Sequence, residues 1–459
     1  MFKQKIMLVS AAAAMLLYPV SAQASEPLAE VKQLVKDNYY PSISTTDLKN
    51  ATTIKQLMSK LDPYSMYMTN AEFDDFFSAV EMTVTGIGVT VTTNDRGLFI
   101  EEIIVGGGAA KNKLKTGDII TKIDGRSLAG MSFHAATTLL RGKKNTNVSV
   151  TVYRPTTKKE WTRVVTRTVI TIPNVETKKL AGAVGYIRLN SFSSNSAADI
   201  QKAMKNLPNA KRWILDLRDN GGGDVGAAEK IIGLFKGQHI AYFFKMAKDK
   251  NMYYMPSVKQ KKQFNGPVAL LINGNSASAS EMTAGALKGQ KLATVYGQKS
   301  YGKGVMQSFF QTKNKKGYVK LTIAEFFAPS SKQEALTINK KGITPHIKTA
   351  KGQEVFVSHQ AILKKELVKN IKLPTISQTV KTQDLIIKPS KTFSWSQLST
   401  STVYLMQIGG PTRKITVKKT VAKQLKIHAN AGIKAGTRYY IKMTPKKGQA
   451  AYSYVTIKK

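Results

Sequence analysis

The sequence predicts a multidomain α/β protein, and three observations carry that reading. Between residues 173 and 350, short buried apolar runs alternate with helical patterns. In residues 82–172 and 375–459, Thr/Val/Ile/Tyr-rich runs alternate with Gly and Pro turns, which marks two smaller β modules. At 459 residues the chain is also too long for one ordinary core and fits two to four domains.

Taken in order, the chain opens on Lys3 and Lys5, a largely apolar run Ile6 to Val20, and Ala22-Gln23-Ala24. This reads as a secretory leader over residues 1–24 with Ser25 as the first mature residue. The alternative, an uncleaved anchor, asks for about 20 apolar residues, more than this run offers. Residues 25–81 carry helical spacing in Leu28, Val31, Leu34 and Val35 and again in Ile54, Leu57, Met58 and Leu61, interrupted by Pro41 and Pro63.

In residues 82–172 the expected strands are Gly88–Val91, Leu98–Ile104, Ile119–Ile123 and Val148–Tyr153. A single helix is expected over Ser132–Leu140, with Phe133, Ala136, Leu139 and Leu140 on one face. In residues 173–374, Val184–Leu189, Trp213–Leu217 and Pro267–Ile272 read as buried strands, and Ala227–Phe235, Ala279–Leu287 and Val355–Val368 as helices. Residues 375–459 hold sixteen Lys/Arg against one acid, Asp384, and read as a separate small β domain.

The chain has no cysteine, which excludes disulfides, thiolate nucleophiles and Cys-based metal sites. Its formal charge of +42 raises nucleic acid as a partner, but the leader argues against it. Anionic cell-wall polymers or a membrane surface suit an exported basic protein better, and a plain solvated basic surface accounts for the charge equally well.

No G-x-S-x-G and no H-E-x-x-H occurs. His134, His239, His346, His359 and His428 are scattered and read as structural or exposed. Three stretches remain. Pro267 to Glu281 runs from an apolar strand through small residues into a helix, so a serine there would face free helix N–H groups able to stabilise an oxyanion. Ser276, Ser278 and Ser280 could equally be helix caps. Tyr301-Gly302-Lys303-Gly304 sets a lysine between glycines; buried, its amine would be neutral enough to take a serine proton, or the stretch is a surface loop. In Asp216-Leu217-Arg218-Asp219-Asn220-Gly221-Gly222-Gly223 a strand ends in glycines that can turn N–H groups toward an oxygen, or simply turn the chain. A phosphate loop is discounted, because no Gly-Lys-Ser/Thr follows.

In this order the three stretches resemble the C-terminal processing peptidases, or tail-specific proteases, whose patterns look like D-L-R-x-N-x-G-G, S-A-S-A-S-E and F/Y-G-K-G-x-x-Q. Leu61-Asp62-Pro63-Tyr64-Ser65, Gly86-Ile87-Gly88-Val89, Gly185-Tyr186-Ile187-Arg188-Leu189 and Lys341-Gly342-Ile343-Thr344-Pro345 extend the likeness over about residues 30–370. The resemblance implies a Clp/crotonase-like α/β protease core with an inserted PDZ-like β module, to which the residue patterns add N-terminal helices and a small all-β C-terminal domain. The expected domains are 25–81, 82–172, 173–374 and 375–459, the last resting on composition alone because it lies outside the likeness. Carried over, Ser278 is the nucleophile, Lys303 the general base twenty-five residues on, and Gln307 its orienter. The N–H of Ala279 with that of Gly222 or Gly223 would form the oxyanion hole, and Gly221 stands where many members have proline. Gly86, Ile87, Gly88 and Val89 would form the PDZ carboxylate loop that captures a chain end, and Arg141 is carried over as a relay candidate.

The resemblance implies a serine endopeptidase with no metal or nucleotide cofactor. Its substrates would be proteins or peptides with apolar C-termini, and it would act outside the cell or at the envelope, alone or as a homo-oligomer. The rivals are a catalytically silent PDZ-type binding protein and a wall-binding scaffold.

Overall fold

The computed structural model describes residues 27–249, 251–313, 315–379 and 384–458; the predicted leader, 1–24, lies outside the described residues. No helix among them is long and apolar enough to cross a membrane. The chain forms two compact units. One comprises Met68–Asn174 with Lys313–Tyr318, and the other takes the remaining described residues.

The first unit is built on an antiparallel sheet in the order Val89–Asn94, Gly97–Ile103, Ile119–Ile123, Asn147–Arg154, Lys159–Thr166. Alternation puts Val148, Val150 and Val152 inward against Leu98, Ile100 and Ile120. The helix Phe133–Leu140 is capped by Ser132 and buries Ala136 and Leu140. Phe133 departs from the predicted face: in the first turn, directly after the cap, it is 42% exposed. The strand Val89–Asn94 pairs only with Gly97–Ile103, so among the described residues its other edge is open.

The second unit holds a sheet ordered Val175–Leu180, Val184–Leu189, Arg212–Asp216, Val268–Ile272, Ala293–Gly297, Ile347–Lys348. All pairings are parallel except the first. Parallel neighbours need crossovers, and the helices Ser196–Asn206, Val225–Ile232 and Ala279–Gly289 lie between them in sequence. The strand Val268–Ile272 is buried at every residue, as a central parallel strand covered on both faces must be. Sequence reading missed a second, antiparallel sheet built around the thirteen-residue strand Gly317–Pro329, which pairs with Ile240–Met246, Val305–Gln311 and Ala335–Thr337. Its Val319 and Leu321 share a core with Val31, Val35, Ile54 and Leu57 of the N-terminal helices. The region 25–81, read as helical, contains the helices Leu28–Asn38, Thr45–Asn50, Ile54–Met58 and Asn70–Val80, and also the strand Met66–Thr69.

The C-terminal residues form two sheets around one core that includes Leu385, Phe393, Leu405, Ile427, Tyr439 and Val455. This β domain belongs to the same compact unit as the parallel sheet. The helix Glu354–Leu367 lies at the junction: Leu363 and Leu367 pack with Ala181 on one side and Met406, Ile408 and Tyr440 on the other. His359, fully buried, uses both ring nitrogens there: Nε2 bonds to the Ala181 carbonyl (2.9 Å) and Nδ1 accepts from the Gly409 N–H (2.8 Å).

Candidate active site

Register explains why the three stretches converge. Asp216 and Leu271 are partners at the carboxyl ends of adjacent parallel strands, and Ile272 partners Gly297 on the next. The turns leaving these strands therefore meet. Ala277 N–H donates to Asn220 O (3.1 Å), and Tyr301 N–H donates to Ser276 O (3.0 Å).

The glycine turn is fixed from below. Arg218 forks onto Asp216 and reaches Glu354 (2.6 Å), while Tyr186 donates to Asp216 at 2.7 Å. Asp216 and Glu354 are essentially inaccessible. Burial opposes the Arg218 charge, but its carboxylate partners more than offset this and hold it firmly protonated. Asn220, also buried, donates to Leu189 O and accepts the Gly222 N–H at 2.9 Å. Gly222 has φ +101°, and a Cβ there would lie 2.8 Å from Ala277 O, 2.9 Å from Ser278 Cβ and 3.0 Å from Ala279 N. Gly221 has neither a positive φ nor any atom within 4 Å of such a Cβ, so this position tolerates other residues.

The three serines separate cleanly. Ser276 is buried and donates to Leu217 O (2.7 Å); Ser280 is buried and donates to Asn220 O (2.8 Å). Both hold the two turns together. Ser278 is partly exposed and has φ +56° and ψ −117°, a strained conformation for a residue with a Cβ. It stands at the N-terminus of Ala279–Gly289. The N–H groups of Ala279 and Gly223 have no acceptor among the described residues, whereas that of Gly222 is taken by Asn220.

Glu281 organises the rest. One carboxylate oxygen accepts from Ser300 Oγ and Gly302 N–H, both at 2.6 Å, and the other from Ser278 N–H (3.0 Å) and Lys303 N–H (2.8 Å). Burial raises its carboxyl above the usual range, and these donors pull the other way. The backbones of Ser278 and Lys303 thus hang from one oxygen atom. The Lys303 amine lies 4.9 Å from the centre of the Tyr64 ring. Burial, helped by the nearby Lys320 ammonium, pushes it down to about 8, against the pull of Asp62 and Glu281. Among the described residues it hydrogen-bonds to neither Ser278 nor Gln307; Gln307 donates instead to Thr322 Oγ1 at 3.0 Å. Sequence reading assigned no role to Glu281, Asp62 or Tyr64, although the quoted motifs contain them. It missed Lys320, whose signal is a lone charge in the apolar run Val319-Lys320-Leu321-Thr322-Ile323.

In the first unit, Gly86 ends the strand Thr83–Gly86 and Val89 begins the open-edged strand. Between them, the N–H groups of Ile87 and Gly88 have no acceptor among the described residues, while their carbonyls bond to Ala109 and Ile104. Arg141 is exposed at the C-terminal cap of Phe133–Leu140. The described histidines make structural bonds: His239 to Lys236 O, His346 to Val295 N–H, and His428 to Asp384.

A parallel α/β sheet whose adjoining turns carry a strained serine and a half-buried lysine of lowered basicity has the parts that serine-type hydrolysis uses. Residues 183–349 match the model of peptidase family S41, and residues 78–153 match the PDZ domain. The carboxy-terminal processing protease CtpB of Bacillus subtilis is 31% identical over 332 residues, 71% of this chain and 68% of that one. A CtpA-like serine protease of Staphylococcus aureus is 30% identical over 321 residues, 69% of this chain and 63% of that one. Among solved structures, the photosystem II D1 C-terminal processing protease is 24% identical with a TM-score of 0.44, covering 72% of this chain and 93% of that one. The chain belongs to peptidase family S41, as a C-terminal processing serine protease with a PDZ domain.

Proposed function

We propose that the protein is an exported endopeptidase that captures apolar C-termini with its PDZ loop and cuts peptide bonds with Ser278 and Lys303. The observation that carries this reading is the Glu281 carboxylate oxygen shared by the two backbones, with Ser276 and Ser280 already engaged. Ser278 Oγ attacks the carbonyl carbon as the neutral Lys303 amine takes its proton. The Ala279 and Gly223 N–H groups receive the oxyanion. Lys303 returns the proton to the leaving amine, and water, deprotonated by the same amine, releases the acyl group. Gln307 fixes the strand that follows Lys303 through its bond to Thr322.

The free N–H groups of Ile87 and Gly88 suit a terminal carboxylate, and the open edge of Val89–Asn94 suits the peptide that precedes it. Arg141 stays a relay candidate by resemblance alone. Export rests on the leader pattern of residues 1–24. The basic C-terminal domain supports a polyanionic anchor such as wall polymer or membrane surface: its one acid, Asp384, is already paired with Lys426 and His428.

The test compares residues 25–459 with the Ser278→Ala variant on an unfolded reporter ending in an apolar or a charged tail, with chelator present throughout. Cutting by the unmutated protein alone, faster on the apolar tail, is the expected result. Equal cutting of both tails removes the PDZ role, and binding without cutting by both proteins removes the peptidase mechanism.

A further inference from the structure

The two N–H groups that suit an oxyanion come from different turns. Gly223 belongs to the glycine turn after Arg212–Asp216, and Ala279 to the serine turn after Val268–Ile272. Their spacing is set by whatever joins those turns. On the buried side the joins are backbone carbonyls: Leu217 O takes the Ser276 hydroxyl, and Asn220 O takes Ala277 N–H and the Ser280 hydroxyl. The far end of the glycine turn is tied elsewhere, to Phe192. The Phe192 N–H donates to Gly222 O (3.0 Å), and its carbonyl accepts from Asp224 N–H (2.7 Å).

A second join lies on the exposed side and is made by side chains. Asp219 N–H donates to Asn273 Oδ1 at 2.9 Å. Asp219 Oδ1 accepts in turn from Asn273 Nδ2 at 2.8 Å and from Asn275 Nδ2 at 3.0 Å. Asn275 N–H also donates to Asn273 Oδ1, at 3.1 Å. One residue of the glycine turn is thereby clamped to two residues of the serine turn. Asp219 has φ +61°, a left-handed setting that Asp and Asn enter more readily than other side chains. It stands directly before Asn220, so this setting directs the glycines that follow. Arg188 reaches the other carboxylate oxygen only at 3.4 Å, and both side chains are partly exposed, so this pair adds little. What the clamp uses is the acceptor atom Oδ1, not the charge.

We propose that Asp219 is a positioning residue for peptide hydrolysis: clamped by Asn273 and Asn275, it holds the glycine turn against the serine turn so that the Gly223 and Ala279 N–H groups converge on one developing oxyanion. The proposal rests on the reading of Ser278 as nucleophile and of these two N–H groups as its oxyanion donors. A donor displaced by about 1 Å forfeits up to about 10²-fold in rate.

The experiment measures kcat and KM of a quenched peptide, and the affinity of the matching peptide aldehyde, for the full chain and for Asp219→Gly, Asp219→Asn and Asn275→Ala. Ser278 Oγ bonds to the aldehyde carbon, its proton passes to Lys303, and the carbonyl electron pair becomes an alkoxide that the two N–H groups hold. Glycine adopts φ +61° without strain, so Asp219→Gly reports the lost clamp alone. Its kcat falls by about 10–10²-fold with KM unchanged, and its aldehyde affinity falls by the same factor. Asn275→Ala, an exposed change that removes one amide and carries the test if the glycine variant does not fold, shows the same pattern at about fivefold. Asp219→Asn, which keeps both the acceptor and the left-handed setting, restores most of the rate. A merely structural role would reduce the amount of active protein and leave aldehyde affinity where it was; that result overturns the proposal, as does an Asp219→Asn protein as slow as Asp219→Gly. If Ser278→Ala still cuts, the catalytic reading fails and takes the proposal with it. If Ser278→Ala is dead while the clamp variants keep kcat and aldehyde affinity, the proposal alone fails.

Discussion

Substituting alanine at Gly222 and at Gly221 separates adjacent positions by their surroundings alone. At Gly222 the new methyl group meets Ala277 O at 2.8 Å, Ser278 Cβ at 2.9 Å and Ala279 N at 3.0 Å, on a backbone with φ +101°. Left-handed strain costs about 1–2 kcal/mol, and forcing a methyl into a packed site adds about 1–3 kcal/mol. The variant should therefore lose roughly 2–5 kcal/mol of stability. Two of the three crowded atoms belong to Ser278 and Ala279, so the relief displaces the serine or an oxyanion donor, and losing one such donor lowers kcat by about 10²–10³. At Gly221 the methyl meets nothing within 4 Å, and the expected change is within about 0.5 kcal/mol with full activity. Urea unfolding and peptide cleavage on the purified variants check both numbers. A Gly222→Ala protein that cuts normally, or a Gly221→Ala protein that is equally impaired, would refute the argument from close approach.

Three further outcomes follow from the same geometry. A lysine accepts a proton only when neutral, so with Lys303 as the proposed base kcat/KM should rise with pH through about 8, fall about tenfold per unit below that, and vanish in Lys303→Arg, which stays charged; a flat profile from pH 6 to 9 would remove Lys303 as the base. Arg218→Met strands the inaccessible Asp216 and Glu354 carboxylates, for a loss of about 3–5 kcal/mol in urea unfolding; a loss below about 1 kcal/mol would rank the cluster with exposed pairs. Burial lowers the His359 pKa from the usual 6.5. The unfolded chain therefore binds this proton first, and the contribution of His359 is intact above about 6.5 and lost as pH falls below it. His359→Asn should cost about 1–3 kcal/mol at pH 7.5 and flatten the decline between pH 7 and 5, as followed by thermal unfolding.

The elements most legible in the sequence are those with one unambiguous pattern. Pro267–Ile272, continuously apolar and followed by small residues and a helical run, matches the strand Val268–Ile272 and the helix Ala279–Gly289 that the structure shows. The strand Gly317–Pro329 was not read, because Lys320, Thr322 and Glu325 break its apolar run and its burial comes from partners far away in sequence. Ser278 and Lys303 were visible as motif residues. What distinguishes Ser278 from Ser276 and Ser280 is its backbone angle and their engaged hydroxyls, neither of which a sequence displays. The two glycine candidates differ by the Asn220 amide that occupies the Gly222 N–H, a bond set by the turn's tertiary shape.

The imidazole at the junction grips main-chain atoms only, the Ala181 carbonyl and the Gly409 amide. A latch read by polypeptide rather than by side chains places its chemical demand on one position, 359. The apolar seam around it, including Met406, Ile408 and Tyr440, asks only for shape and volume. Two of the sixteen basic residues of the C-terminal domain also reach this helix, Arg438 over the Phe356 ring and Lys442 to Glu366, so the surface that can change without touching the junction is the part away from it. Charge there can vary while the helix Glu354–Leu367 keeps its hold on both sides through position 359.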